Sequence, residues 1–335
     1  MRTSRPRLRF AGRCVLFALP LAILGAWVEV GLRSVDNSYR AKRQQLETVE
    51  STLEVIVTGS SGAFDGVDPG SFGVPAYNLG NGSQTLHYDL QIVSRYLDRM
   101  PRLRLVVLAL GYPALALELR NTREAWRQHF YSVFWNVPIE EPGAHLVTIQ
   151  KYSYIALYTP MTSAKAAMTG FRMSPRGPFR DNGWNPPVAS SATEHAEGLS
   201  SSWTRLRVEG HKDGMRPESQ RRNTEAVRVV AERLRAKGAW LAVVWLPVSS
   251  EYTRWFGEEA LASQRAAWEK LATLPNVRFF DYGSDPRFGP DDFANADHLG
   301  PEGARKFSEI LTKETVRPIL KLAGEPAISA ARVRP

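Results

Sequence analysis

The chain has 335 residues, enough for one large domain or two small ones, and 43% of them are apolar, which excludes a mostly disordered chain. Its formal charge is +9, but residues 1–43 hold nine basic side chains against Glu29 and Asp36, which leaves only +2 for residues 44–335. A nearly neutral body lacks the basic footprint of a DNA- or RNA-binding surface, so no nucleic-acid partner is expected.

Residues 10–32 form an apolar segment interrupted only by Arg13 and Glu29. Its length predicts a transmembrane helix, with Arg13 and Glu29 snorkelling at the edges. Residues 1–9 form a basic tail, and the five arginines up to Arg13 predict a cytoplasmic N-terminus and an extracytoplasmic body, at the periplasm or cell surface. A cleaved signal peptide is the rival, but the small-x-small position at Leu24-Gly25-Ala26 opens on leucine, so an uncleaved anchor in the lipid bilayer is preferred. Cys14 is the only cysteine and lies inside this segment, which excludes an intramolecular disulfide.

Residues 33–50 read as a polar linker helix leading away from the membrane. Residues 53–58 predict a first strand. Residues 88–100 predict a helix with Leu90, Val93, Tyr96 and Leu97 on one face, closed by Pro101. Residues 103–110 predict the next strand. Residues 111–215 are irregular and read as an insertion: a small aromatic helical cluster from Trp126 to Tyr158, then a long surface excursion over 174–214. Residues 223–237 predict an amphipathic helix ended by Gly238. Residues 239–246 and 277–280 predict strands, 258–271 a helix, and 301–322 a last helix interrupted at Pro318. Residues 323–335 read as a disordered tail. Continuous apolar strands alternating with helices predict an α/β fold over residues 51–322, a three-layer α/β/α sandwich on a mostly parallel sheet.

Two segments carry chemistry. The first strand runs into Gly59-Ser60-Ser61-Gly62, and His298 lies just before the helix start at Pro301. A serine hydroxyl becomes a nucleophile when a base lies within hydrogen-bond reach and donors await the oxyanion. In parallel α/β sheets such groups gather at the carboxyl ends of strands. His87, His129, His145, His195 and His211 have no metal-ligand spacing and read as surface or packing residues, with His87 having the best claim to more. No metal or cofactor is expected.

The segments 59–69, 77–89, 279–281, 293–299 and 303–307, in that order and spacing, resemble the SGNH/GDSL hydrolase-like superfamily. The resemblance is nearest to its membrane-anchored extracytoplasmic branch, and covers roughly residues 38–110 and 220–312. It implies a flavodoxin-like sandwich with Ser61 as nucleophile and His298 as base. The amides of Ser61 and of the Gly82-Ser83 region would be oxyanion donors, with Asn78, Asn81 and Gln84 as additional side-chain donors. It further implies esterase or O-acyltransferase activity, a polysaccharide substrate and a membrane-bound O-acyltransferase as partner. Three positions depart from the pattern. Asn295 stands where aspartate usually precedes the histidine by three, Pro113 where asparagine follows a glycine, and Gly62 where the close branch has histidine. Asp292, Asp281 and Asp65 are candidates for the missing acid, while Asp297, next to His298, is expected to point elsewhere. These departures leave a second reading open: a catalytically degenerate domain that binds glycan or scaffolds a membrane assembly.

Overall fold

The computed structural model describes residues 4–139, 149–172 and 179–324. In chain order the elements are α1 (Ser4–Ser34), α2 (Ser38–Val49), β1 (Val55–Gly59), α3 (Ser61–Gly66), β2 (Ala76–Asn78), α4 (Leu86–Tyr96) and β3 (Leu105–Leu110). The insertion supplies α5 (Gln128–Phe130), α6 (Tyr154–Leu157), α7 (Pro160–Met168), α8 (Ala192–Gly198) and α9 (Ser201–Gly214). Then come α10 (Pro217–Ala236), β4 (Trp240–Trp245), α11 (Ser250–Phe256), α12 (Glu258–Leu271), β5 (Val277–Asp281), β6 (Phe293–Asn295), β7 (His298–Leu299), α13 (Pro301–Leu311) and α14 (Arg317–Gly324).

The five main strands pair in parallel in the order β2-β1-β3-β4-β5. Side chains alternate across the sheet, so each strand feeds two cores. Ile56, Val106, Leu108, Leu241, Val243 and Trp245 pack under α4, α10, α11 and α12. Val55, Val57, Leu105, Val107, Ala242 and Val244 pack under α3, α13 and α14. This is the predicted α/β/α sandwich, doubly wound about β1. In such a sheet the crevice between β1 and β3 opens where the strand order reverses.

Three expectations change. The short strand β2, at the sheet edge, was missed. The excursion over 174–214 holds two helices among its described residues, α8 and α9, each begun by a serine cap: Ser191 accepts from the Glu194 N–H and Ser200 from the Trp203 N–H. The segment read as a linker is part of the domain, because α2 buries Tyr39, Lys42 and Leu46 against the core. The insertion leaves and rejoins the body at a bridge between Leu117 and Met215, where the Arg216 N–H donates to the Ala116 carbonyl at 2.8 Å. Its aromatic cluster packs on α2 through Tyr39 against Phe130 and Tyr131.

Helix α1 is long and apolar enough to cross a membrane, and Phe10, Leu16, Phe17 and Ile23 stand exposed along it. Near Pro318 the last helix changes winding through a π-helical turn over Thr312–Val316 before α14 begins. A proline cannot donate the i→i−4 bond, and the wider turn accommodates that loss. Of the expected tail 323–335, residues 323–324 end α14, and 325–335, with His145 and the segments 140–148 and 173–178, lie outside the described residues.

Candidate active site

Ser61 is the first residue of α3 and follows β1 across Ser60. The turn between them depends on Gly59, which sits at φ +146; a Cβ there would lie 2.0 Å from the Ala109 carbonyl oxygen on β3. Gly59→Ala is therefore expected to destabilise the fold by on the order of 3 kcal/mol or more. A thermal melt reads this directly, and a variant melting with the wild type would contradict it.

His298 arrives from the other end of the chain on a tight hairpin. Strands β6 and β7 pair Asn295 with His298, leaving Ala296 and Asp297 as the turn. The turn is pinned on both sides. The Ala296 N–H donates to the Gly198 carbonyl at 3.1 Å, and the Ser249 N–H donates to the Ala296 carbonyl at 2.9 Å.

The two segments meet with Ser61 Oγ 2.7 Å from His298 Nε2. On the far side of the ring, Nδ1 lies 2.9 Å from Asn295 Oδ1 and 3.2 Å from Asp297 Oδ1. Asn295 presents its oxygen because that atom also accepts the Asp297 N–H at 3.3 Å. Two acceptors within 3.2 Å of Nδ1 outweigh the longer Arg207 Nη2 donor at 3.4 Å and favour the tautomer with the proton there, which leaves Nε2 to accept the Ser61 hydroxyl proton.

Asp297 was expected to point away, yet its carboxylate is the charge nearest the base. It sits on a turn rather than in an alternating strand, so it can share a face with its neighbour. Arg207 on α9 donates Nε–H to the same Oδ1 and lies 3.4 Å from His298 Nδ1. Burial alone would raise the Asp297 carboxyl, but its contacts with the His298 ring and the Arg207 guanidinium outweigh it and hold the group well below the usual carboxylate range. The other candidate acids are engaged elsewhere. Asp292 pairs with Lys306 at 2.8 Å, Asp281 with Arg265 at 2.5 Å, and Asp65 accepts from Asn185 Nδ2 at 2.8 Å.

The pair opens into a cleft of about 590 Å³. Gly111, Pro113 and Ala114 from the end of β3 form one wall, and α9 forms another with Trp203, Arg207 and His211. These three residues, four apart, share a helix face. That spacing is the signal from which the wall was readable, obscured by Gly210, Gly214 and a mostly polar sequence. His211 was read as a surface or packing residue, but it lines the cleft, its Nδ1 2.6 Å from the Tyr252 hydroxyl. Asn121 lines the cleft as well.

The expected oxyanion positions separate. Ser83 lines the cleft, its backbone in the left-handed region at φ +55. Gly82 does not, and its N–H donates to Asn81 Oδ1 at 2.9 Å. Asn78 is fully buried and its amide is spent on the scaffold. Nδ2 donates to the Ala63 and Val67 carbonyls at 2.8 Å, and Oδ1 accepts the Gly80 N–H at 2.8 Å, which ties α3 to the loop after β2. Asn81 accepts from Ser38 Oγ at 3.0 Å. His87 faces the Pro138 carbonyl at 3.5 Å, away from the cleft. Behind the same loop, Lys42 of α2 is completely buried. It donates to the Asn78 carbonyl at 2.8 Å and to the Gly80 carbonyl, with its ammonium 4.0 Å from the Phe64 ring centre. Burial pushes its pKa well below the usual lysine value.

Gln84 lines the cleft and joins it to a buried network. Its Nε2 donates to Asp89 Oδ1 at 2.5 Å, the Thr58 hydroxyl donates to the same oxygen at 2.5 Å, and the Tyr131 hydroxyl donates to Gln84 Oε1 at 3.0 Å. Burial raises the Asp89 carboxyl from 3.8 to about 6, against the lowering effect of the Thr58 and Gln84 hydrogen bonds. Between those values the folded chain keeps a proton that the unfolded chain has lost. Stability should therefore fall as pH rises from about 4 to about 6, by roughly 3 kcal/mol in all. Asp89→Asn removes that slope. Denaturant titrations near pH 4 and pH 7 check it: the wild-type-minus-variant difference shifts by about that amount, and an unchanged difference would contradict the assignment.

Among the described residues, no group of three or more His, Cys, Asp or Glu side chains converges to hold a metal ion. No protein-family model matches the chain, and no curated protein matches it. Among solved structures, the chain is similar to a candidate acylhydrolase from Bacteroides fragilis NCTC 9343. The two are 12% identical with a TM-score of 0.40, over 86% of this chain and 99% of that one. The likeness is distant, and the site stands on its own geometry.

Proposed function

We propose that the chain is a serine-dependent acyl-ester enzyme of the SGNH-like kind. The observation that carries this reading is the 2.7 Å contact between Ser61 Oγ and His298 Nε2 at the floor of an open cleft. Ser61 Oγ attacks the ester carbonyl as its proton passes to Nε2. The new C–O bond makes the carbonyl oxygen an oxyanion, which the backbone N–H groups of Ser61 and Ser83 receive. Collapse breaks the bond to the leaving alkoxide, which takes the proton from Nε2. The acyl-enzyme then passes its acyl group to water or to an acceptor hydroxyl. His298 accepts that hydroxyl's proton and returns it to Ser61. Asn295 holds the ring by its Nδ1–H, and Asp297 supplies the charge that stabilises the imidazolium.

Helix α1, long and apolar enough to cross a membrane, supports a membrane setting for this chemistry, and the arginines before it favour an extracytoplasmic body. In that setting a cell-surface polysaccharide is the acceptor or substrate, and a membrane-bound O-acyltransferase the partner. The full chain in detergent should release nitrophenolate from short-chain nitrophenyl esters. Equal release by wild type and Ser61→Ala would sink the reading.

One feature favours the second reading, a degenerate glycan-binding domain: Pro113, with neither an amide side chain nor an N–H, occupies the β3 wall of the cleft. On that reading His298→Ala leaves the cellular phenotype intact.

A further inference from the structure

Glu29 was expected to snorkel at the membrane edge. Its carboxylate is also an anchor point for the insertion. It accepts the Tyr154 N–H at 3.0 Å, the Ile155 N–H at 3.1 Å and the Ser153 hydroxyl at 3.0 Å, so it caps the start of α6. Arg33, bonded to Glu29, also donates to the Tyr152 carbonyl at 2.7 Å. Two residues before Glu29, Trp27 meets Phe171 edge-on at 5.0 Å. A Cβ at Gly31 would lie 2.3 Å from the Phe171 ring, so glycine is what lets that ring seat on α1. The stretch from Tyr152 to Phe171 is thus fastened to the last turns of the apolar helix.

Depth follows from helix geometry. At 1.5 Å per residue, the uncharged run from Cys14 to Val28 covers roughly 22 Å of a hydrocarbon core about 30 Å thick. Trp27, Glu29 and Arg33 therefore fall at one boundary, where tryptophan and snorkelling charges belong. Helix α7 is fastened at that level. Its inner face buries Ala166, while its outer face carries Met161, Ala164, Lys165 and Met168 at i, i+3, i+4 and i+7. Met161 is 83% exposed and Met168 88% exposed. Ile155 and Tyr152 are exposed beside them, and the apolar surface continues onto α1 through Trp27 and Val30.

We infer that α6 and α7 form a membrane seat, in which the Met161–Ala164–Met168 stripe beds into the headgroup–acyl boundary of the bilayer that α1 crosses. The inference rests on the reading of α1 as a span. Continuity selects lipid as the occupant. The stripe extends the lipid-facing surface of α1 at the same depth, and Lys165 lies where its stem can reach along apolar surface and its ammonium can meet phosphate. The seat fixes the domain against the membrane. Only Val35 to Asn37 separate α1 from α2, whose Lys42 holds the loop behind the cleft.

The test uses the full chain with Cys14→Ser, which leaves no other cysteine. Single variants Leu19→Cys, Met161→Cys, Met168→Cys and, as a solvent control on α10, Val229→Cys carry a nitroxide. They are reconstituted in vesicles of phosphatidylcholine with a minority of phosphatidylglycerol. Collision with oxygen is compared with collision with a water-soluble nickel chelate. The seat predicts that positions 161 and 168 join position 19 on the oxygen-rich side, with a ratio several-fold above that of position 229. If position 19 is oxygen-rich while 161 and 168 match 229, the span stands and the seat is overturned. If position 19 also matches 229, α1 does not cross and both fall. Labels at 161 and 168 immobilised and shielded from both reagents would mean a protein partner, and would likewise overturn the seat.

Discussion

Ser61→Ala and His298→Ala are each expected to lower kcat/KM for ester cleavage by roughly 10⁴- to 10⁶-fold, with the double variant no worse than either single one. The reason is their mutual dependence. A neutral hydroxyl attacks poorly, and the 2.7 Å contact to Nε2 is what lets it lose its proton as the new bond forms. Removing either atom removes the same step. The scaffold should survive both changes, because the hairpin is held by backbone bonds from Gly198 and Ser249 and α3 by Asn78. Steady-state rates together with thermal melts separate the outcomes. A His298→Ala variant that is stably folded and retains most of its activity would contradict the pairing.

The second large effect lies at Asp297. Asp297→Asn is expected to lower kcat by about 10²- to 10⁴-fold, while Asn295→Ala lowers it by no more than about tenfold. Asn295 offers one neutral acceptor to Nδ1–H, worth on the order of 1 kcal/mol. Asp297 offers a full charge 3.2 Å away in a half-buried setting, where charge counts for more than in open water. Its carboxyl lies well below the ordinary value, so its contribution to stability is present above about pH 4 and is lost only on strong acidification. Asp297→Asn also leaves the Arg207 guanidinium without its partner, and the fold can weaken for that reason alone. A rescue distinguishes the two causes. Adding Asn295→Asp to Asp297→Asn returns a carboxylate to Nδ1, and part of the lost kcat should return with it. No recovery in a folded double variant would assign Asp297 a structural role only.

The parts of the fold that follow hydrophobic pattern were legible. β3 and β4 are continuous apolar runs buried on both faces, and α12 has the bounds its periodicity predicted. What pattern cannot carry was missed. β2 is three residues long, too short for any period to register. Helix α2 was taken for a linker because one of its inward positions is Lys42, and no composition rule expects a completely buried lysine without a carboxylate bound to it. Helix α9 was taken for a loop because Gly210 and Gly214 dilute its pattern, so Arg207 went unseen and His211 was read as a surface or packing residue. Ser61, His298 and Asn295 were named through the family resemblance, and their side chains lie in contact. The supporting charge was not, because the orientation of Asp297 is set by a two-residue turn rather than by strand alternation.

The central claim is that Ser61 is an activated nucleophile. It is tested most directly by treating the full chain with a serine-reactive fluorophosphonate and mapping the adduct by peptide mass spectrometry. The arrangement of Ser61, His298 and Asp297 predicts one adduct, on Ser61, lost in Ser61→Ala and strongly reduced in His298→Ala. Equal labelling of wild type and Ser61→Ala, or a folded wild type that takes no label, would contradict it.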